Sequence, residues 1–365
     1  MSVGTKHADG LSGCLTQPVS MAFTTPPPLG DDQALAIVAP SRPPDATKLQ
    51  IGRERLAGLG VETRVFPTAD PDRDEPASPA ARAADIEDAF ADPEIGAVMA
   101  YTGGDDQIRV LRHLDGDALA ASPTRFFGYS DNDNLRLFLW NRGIVSYGLG
   151  VHPDLVCDAD LHTYTERYLR RALFEESLGR IVPADEWTDD WFDFEAREPR
   201  EWDDTPGPTM WVGPEGDSAE PVRGRVWGGT FAIVKWHLQT DRYLPAPDRL
   251  DGAVLALETS EDVPPPREVG YTLRAMGERG LLERFDGVLV GRPRTNAPPL
   301  EWDPDPDEYP AELENVVTRE LGRYVPDAVA GFGYDFGHTD PSFPLPLGAV
   351  ATLDPEEKAL RFGPD

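Results

Sequence analysis

Arg125-Phe126-Phe127-Gly128-Tyr129-Ser130-Asp131-Asn132-Asp133-Asn134-Leu135 reads as a short apolar strand, a glycine-bearing turn with a serine at its tip, and the start of a helix. Gly128 lets the backbone turn sharply, and Asp131 or Asn132 can cap the helix that continues through Leu137, Phe138 and Trp140. Such an elbow exposes a hydroxyl above a sheet edge and aims the first helical N–H groups at the same point. On these residues alone the plainer reading stands beside it, a surface turn with a capping Ser or Asp.

The surrounding chain decides what kind of sheet the elbow belongs to. Ala34-Leu35-Ala36-Ile37-Val38-Ala39 is a buried strand closed by Pro40, followed by a helical stretch at Lys48–Leu59 and a strand at Val61–Phe66. A helix near Ala80–Ala91, a strand at Ile95–Tyr101 ending in Thr-Gly-Gly, a helix at Gln107–Leu114, the elbow itself and a strand at Ile144–Tyr147 continue the alternation. Repeated β-α units predict a doubly wound, Rossmann-like parallel sheet with its ligand site at the carboxyl ends of the strands. Gly103-Gly104, Ser130 and the Gly148–His152 turn all follow strand ends, so they are expected on one rim.

Outward from this domain, assigned to 34–180, lie three further parts. Residues 1–33, rich in Gly, Ser, Thr and Pro, are expected to form a flexible extension, with Met21 an alternative start. Residues 181–223 are expected to be a linker carrying an aromatic-rich loop. Trp187, Trp191, Phe192, Phe194, Trp202 and Trp211 stand there among many carboxylates without a period, and their rings either tuck against the domain junction or form a lid over a substrate. Residues 224–365 hold the strand Gly224–Thr230, an apolar run Ala253–Leu257 ending at Glu258, a helix at Thr272–Phe285, a strand at Asp286–Gly291 and short strands at Ala328–Leu353. They predict a β-rich C-terminal domain.

Composition narrows the function classes. Over 365 residues, 65 acidic against 34 basic side chains leave a net charge of −31, a surface that repels nucleic acid and anionic membranes. With 40% hydrophobic residues in spaced runs the chain is expected to fold beneath an acidic shell, as in a halophilic, salt-rich cytoplasm where the Debye length falls to about 3 Å. Most carboxylates are then solvated surface. Cys14 and Cys157 are too few for a disulfide framework. No run of eighteen apolar residues and no signal-peptide pattern is present, so the expected location is cytoplasmic.

A serine needs a base, and the base an orienting acid. Of the six histidines, His7 lies in the extension, His113 and His162 in helical stretches, His237 after Lys-Trp and His152 before a proline. His338 lies in Gly-Phe-Gly-Tyr-Asp-Phe-Gly-His-Thr-Asp, where glycines permit close backbone approach; a turn histidine bonded to Asp340 is the plain alternative. Glu258 ends an apolar strand, where a carboxylate is costly unless paired, although it can also cap the next turn. Candidate oxyanion donors are the Gly103-Gly104 turn and the amide of Asp131. Metal-ligand spacings and phosphate-binding glycine loops are lacking, so no cofactor is expected.

Taken in order, Ala39-Pro40-Ser41, Gly103-Gly104, Gly128-Tyr129-Ser130-Asp131, Gly228-Gly229, the strand ending in Glu258, Val290-Gly291-Arg292 and Gly337-His338 with Leu345-Pro346-Leu347-Gly348 make the chain from Ala34 to Leu353 resemble the LD-carboxypeptidase and microcin C immunity family of serine peptidases. The resemblance implies a Ser130 nucleophile, a His338 base and a Glu258 orienting acid, with Glu261 a nearby competitor for the acid. It also implies an oxyanion hole from the amides of Asp131 and Gly104, and homodimers. Two departures stand out: Asp133 where the family usually has Thr, and Asp105-Asp106-Gln107 after the glycine pair.

Glu186-Trp187-Thr188-Asp189-Asp190 is similar to the loop of the immunity branch, in which an aromatic stacks on a nucleobase. Trp187 and Trp191 are accordingly the candidate substrate contacts. The resemblance implies hydrolysis of an amide bond in a small peptide conjugate, such as a peptidyl- or aminoacyl-nucleotide. The alternatives are LD-carboxypeptidase action on murein tetrapeptides, or a non-catalytic α/β protein that holds a small molecule.

Overall fold

The computed structural model describes residues 22–194, 198–214, 220–296, 302 and 304–363. Its first half runs β1 (Ala34–Val38), α1 (Ala46–Gly58), β2 (Thr63–Val65), α2 (Pro79–Ala91), β3 (Ile95–Ala100), α3 (Gly116–Ala121), β4 (Arg125–Phe127), α4 (Asp133–Asn141) and β5 (Ser146–Tyr147). Every residue of β1 and β3 is buried, which is why they read as unbroken apolar runs rather than alternations. Local chemistry starts the helices: the Asp45 carboxylate accepts from the Lys48 amide at 2.9 Å ahead of α1, and Ser78 with Pro79 opens α2.

The second half comprises α5 (Thr163–Phe174), β6 (Gly179–Ile181), β7 (Glu186–Trp187), β8 (Asp203–Asp204), β9 (Thr209–Val212), β10 (Val222–Thr230), α6 (Phe231–Thr240), β11 (Ala253–Glu258), α7 (Pro266–Glu278), β12 (Phe285–Gly291), α8 (Tyr309–Tyr324), β13 (Val329–Tyr334), β14 (Pro346–Leu347), β15 (Val350–Asp354) and β16 (Ala359–Gly363). Two principal sheets result. One has the order β14-β5-β4-β3-β1-β2, parallel throughout except at β14; the other has the order β6-β16-β15-β10-β11-β12-β13-β9 with β10 to β13 parallel at its centre. The mixed α/β class follows directly from this topology, and the second sheet is itself built from β-α units. Among the described residues no helix is long and apolar enough to cross a membrane.

Three local expectations are corrected. The stretch from Gln107 to Leu114 forms two short 3-10 turns instead of a helix, because tertiary partners claim it: the Asp131 carboxylate accepts from the amides of Asp106 and Gln107 at 3.0 and 2.9 Å. The helix expected at Thr272–Phe285 begins earlier, at Pro266, since proline suits the first helical position, and it ends at Glu278. Residues 22–33 are held to the first sheet: Thr24 bridges Ile144, the Leu29 amide donates to Leu173 O at 2.8 Å, and the Phe23 ring meets Trp140 edge-on at 5.1 Å. The remainder of the expected extension, with Met21 and Cys14, lies outside the described residues.

Candidate active site

The carboxyl ends of both parallel sheets face one cavity of about 390 Å³. Gly103, Gly104, Ser130 and His152 reach it from the first sheet, and Glu261, Arg294, His338 and Asp340 from the second. Trp191, Phe192, Phe194 and Arg200 complete the wall from the loop between β7 and β8.

Ser130 sits at the elbow with φ of 61°, a left-handed conformation that non-glycine residues rarely adopt. It begins a 3-10 turn that runs into α4, so the Asp131 amide lies in a first turn whose N–H groups have no intrahelical acceptor. Gly103 presses on this turn: a Cβ there would stand 2.9 Å from Ser130 Cβ, 3.0 Å from its Oγ and 3.5 Å from the Asp131 nitrogen. Neither Asp131 nor Asn132 caps α4 through its side chain. The buried Asp131 carboxylate instead accepts from Ser41 Oγ at 2.5 Å and from the Asp106 and Gln107 amides, and Asn132 Nδ2 donates to Thr102 O at 3.0 Å. Ser41, the glycine pair and the elbow are thereby fixed to one another, and the Asp105-Asp106-Gln107 departure supplies part of that fastening.

His338 follows β13 on a loop where Gly337 has φ of 104°, and a Cβ on Gly337 would come within 2.8 Å of Glu258 Oε2. That room lets the imidazole Nδ1 meet Glu258 Oε2 at 2.8 Å. Glu258 ends β11 in register with Thr230 of β10; its Oε1 accepts from Thr230 Oγ1 at 2.5 Å, and its Oε2 also from the Ser260 amide at 2.9 Å. Thr230 Oγ1 and its amide lie 2.8 and 2.6 Å from Asp133 Oδ2, and Asp133 Oδ1 accepts from Arg136 at 2.6 Å. The Asp133 departure is thus one link of a buried chain Arg136–Asp133–Thr230–Glu258–His338, not a helix cap.

The far side of the imidazole faces Glu261, with Nε2 and Oε2 3.0 Å apart. Among the described residues no hydrogen bond joins Ser130 Oγ to His338, although both line the cavity. Burial opposes a charge on His338, but Glu258 and Glu261 together outweigh it and hold the imidazole well above its ordinary pKa. The imidazolium in turn brings Glu261 down to about 2.

The two loop tryptophans part company. Trp191 is 55% exposed, lines the cavity, and stacks under the Arg294 guanidinium at 4.1 Å. Trp187 is outside the cavity lining: β7 pairs it with Asp203, and its ring lies over Arg292 at 5.1 Å. The loop is tied to the histidine segment by reciprocal backbone bonds between Thr188 and Asp340, at 2.7 and 2.9 Å. Sequence reading passed over Lys48, whose Nζ stands 4.1 Å above the Phe194 ring and 3.4 Å from His152 Nε2, with no carboxylate in ion-pair contact among the described residues. Its signal was its rarity, one of four lysines in an acidic chain. Among the described residues no cluster of three His, Cys, Asp or Glu is placed to hold a metal ion.

Comparison with known proteins converges on one family. The model of the LD-carboxypeptidase N-terminal domain matches residues 35–148, and that of the LD-carboxypeptidase C-terminal domain matches residues 223–353. A putative carboxypeptidase of Streptomyces coelicolor is 27% identical over 347 residues, covering 92% of this chain and 95% of that protein. A probable murein peptide carboxypeptidase of Bacillus subtilis is 25% identical over 342 residues, covering 91% and 92%. The solved structure of the immunity protein MccF in complex with glutamyl sulfamoyl guanosine shares the fold, with a TM-score of 0.78 at 19% identity over 95% of this chain and 99% of the other. With both of its domains matched in order, the chain belongs to the LD-carboxypeptidase family.

Proposed function

We propose that the protein is a serine-type amide hydrolase in which Ser130 is the nucleophile, His338 the general base and Glu258 the acid that orients it. The observation that carries the reading is that Ser130 and His338 open into one cavity while His338 Nδ1 is held by Glu258 at 2.8 Å. With Nδ1–H fixed on Glu258, Nε2 is the nitrogen that would take the Ser130 proton once its contact with Glu261 is exchanged. Attack on the scissile carbonyl forms a tetrahedral oxyanion. The amides of Asp131 and Gly104 would receive it, and the Asp131 side-chain bonds hold both loops in place for that purpose. His338 then protonates the leaving amine, and water releases the acyl group by the reverse proton path.

For the substrate we favour an aminoacyl or peptidyl conjugate with a flat ring, such as a nucleotide. Trp191 offers an exposed ring face, and Lys48 a cation beside an aromatic with no carboxylate in ion-pair contact among the described residues, suited to a phosphate-like linkage. The same lysine suits the terminal carboxylate of a murein tetrapeptide, which keeps LD-carboxypeptidase action as the second reading. Chromatographic product analysis with a peptidyl-adenylate analogue and an LD-tetrapeptide separates the two. Turnover of the first, lost in Ser130→Ala, is expected; turnover of the tetrapeptide alone selects the second reading, and inertness toward both defeats each. Homodimerisation and a salt-rich cytoplasm remain part of the proposal, the first checked by light scattering on the eluted protein.

A further inference from the structure

Glu261 stands in an unusual position for a group outside the proposed triad. The His338 ring lies between two carboxylates, Glu258 Oε2 at 2.8 Å from Nδ1 and Glu261 Oε2 at 3.0 Å from Nε2. The second contact is an ion pair without hydrogen-bond alignment, and Glu261 Oε2 is buried with no donor directed at it. Arg294, a guanidinium in the same wall that attracts Glu261 without an ion-pair contact, turns three of its N–H groups to the carbonyls of Asn296, His338 and Asp189 at 2.5, 3.0 and 2.6 Å. Among the described residues the imidazole is therefore the one cation in ion-pair contact with this carboxylate.

That arrangement conflicts with catalysis in two ways. A histidine paired on both nitrogens with carboxylates stays protonated, and an imidazolium cannot take the Ser130 proton. Once the imidazole is neutral, Glu261 loses its ion-pair partner and keeps only the longer-range attraction of Arg294. Its side chain is 46% exposed and lines the cavity, so it has room to turn toward a bound molecule.

We propose that Glu261 is the receptor for a cationic group, an ammonium carried by the substrate next to the scissile carbonyl, and that accepting this cation releases His338 Nε2 to Ser130. The inference rests on the hydrolase reading above and names its substrate class: aminoacyl conjugates with a free α-amine rather than blocked or anionic acyl groups. The proton balance is simple. The imidazolium proton leaves to solvent when the ammonium replaces it as the partner of Glu261, and the neutral Nε2 then accepts the Ser130 proton. The other charged and titratable groups around the ring are Asp262, Arg294, Tyr129, Asp154 and Asp340, and they stay in place.

The test measures the rate of fluorophosphonate labelling from pH 5 to 9 in the full chain and in Glu261→Gln, Glu261→Asp and Ser130→Ala. Alongside it, hydrolysis of an aminoacyl anilide is compared with that of its N-acetyl counterpart. Labelling is expected to require Ser130. In Glu261→Gln its midpoint should fall by about one pH unit or more, giving about tenfold faster labelling at pH 6, while Glu261→Asp keeps a midpoint near the parent's. The parent should prefer the free amine by about tenfold or more, and Glu261→Gln should lose that preference. Ser130-dependent labelling with an unchanged midpoint and preference in Glu261→Gln overturns the inference alone. A shifted midpoint with an unchanged preference overturns the assignment of the cation, and labelling that survives Ser130→Ala overturns the hydrolase reading and this inference with it.

Discussion

Replacing Thr230 by Val removes one oxygen at the centre of the buried chain that ends on His338. The two side chains have nearly the same shape, so packing is kept while the bond to Glu258 Oε1 at 2.5 Å and the contact with Asp133 Oδ2 at 2.8 Å are lost. Asp133 retains the Thr230 backbone amide at 2.6 Å and Arg136 at 2.6 Å, which the substitution does not touch. Glu258 retains the Ser260 amide and His338 on its other oxygen. The net loss is thus one hydrogen bond to a buried carboxylate, worth about 1.5–3 kcal/mol. If that bond positions Glu258 for the reaction, the same energy appears as a loss in kcat/KM of about ten- to a hundredfold, since each factor of ten is about 1.36 kcal/mol. Urea unfolding and steady-state hydrolysis of the preferred substrate measure the two quantities. A variant within about 0.5 kcal/mol and twofold of the parent would refute the claim that Thr230 holds Glu258 in place.

Three other perturbations probe separate parts of the account. Gly103→Ala puts a Cβ 3.0 Å from Ser130 Oγ and should lower kcat by about a hundredfold or more, the scale of a displaced oxyanion donor, with KM much less affected; an unchanged kcat removes this turn from the reaction. Asp154 is pushed up to about 7, by burial first and by Asp340 second. The folded state therefore binds a proton that the unfolded chain releases near pH 4, and stability falls as pH rises from about 4 to 7; Asp154→Asn should flatten that part of the Tm profile, and a parallel profile contradicts the assignment. The net charge of −31 predicts a Tm that climbs with KCl up to molar concentration as repulsion is screened, and a flat or falling Tm would show that the acidic shell costs the fold nothing at low salt.

The features most visible in the sequence were those that a strand end makes local. The elbow, the glycine pair and Glu258 each sit where a buried apolar run stops, and a parallel sheet carries all such ends to one edge. What escaped was set by partners far along the chain. Asp131 looks like a helix cap until the Asp106–Gln107 turn, folded back from 25 residues upstream, takes its carboxylate. Trp187 and Trp191 look equivalent in a loop without periodicity, and only the pairing of β7 with β8 turns one of them away from the cavity. Residues 22–33 read as loose from their prolines, yet their apolar side chains find Trp140 and the edge of the first sheet. Glu261 was visible as a carboxylate near Glu258, but its place on the opposite nitrogen of His338 is a matter of three-dimensional geometry.

The central claim is that Ser130 is a nucleophile activated by His338, and locating a covalent adduct tests it most directly. After reaction with a fluorophosphonate, peptide mapping by mass spectrometry should find the added mass on the peptide containing Ser130. It should be absent in Ser130→Ala and formed about a thousandfold more slowly in His338→Ala. An adduct on a different residue, or labelling of His338→Ala at the parent's rate, would contradict the account.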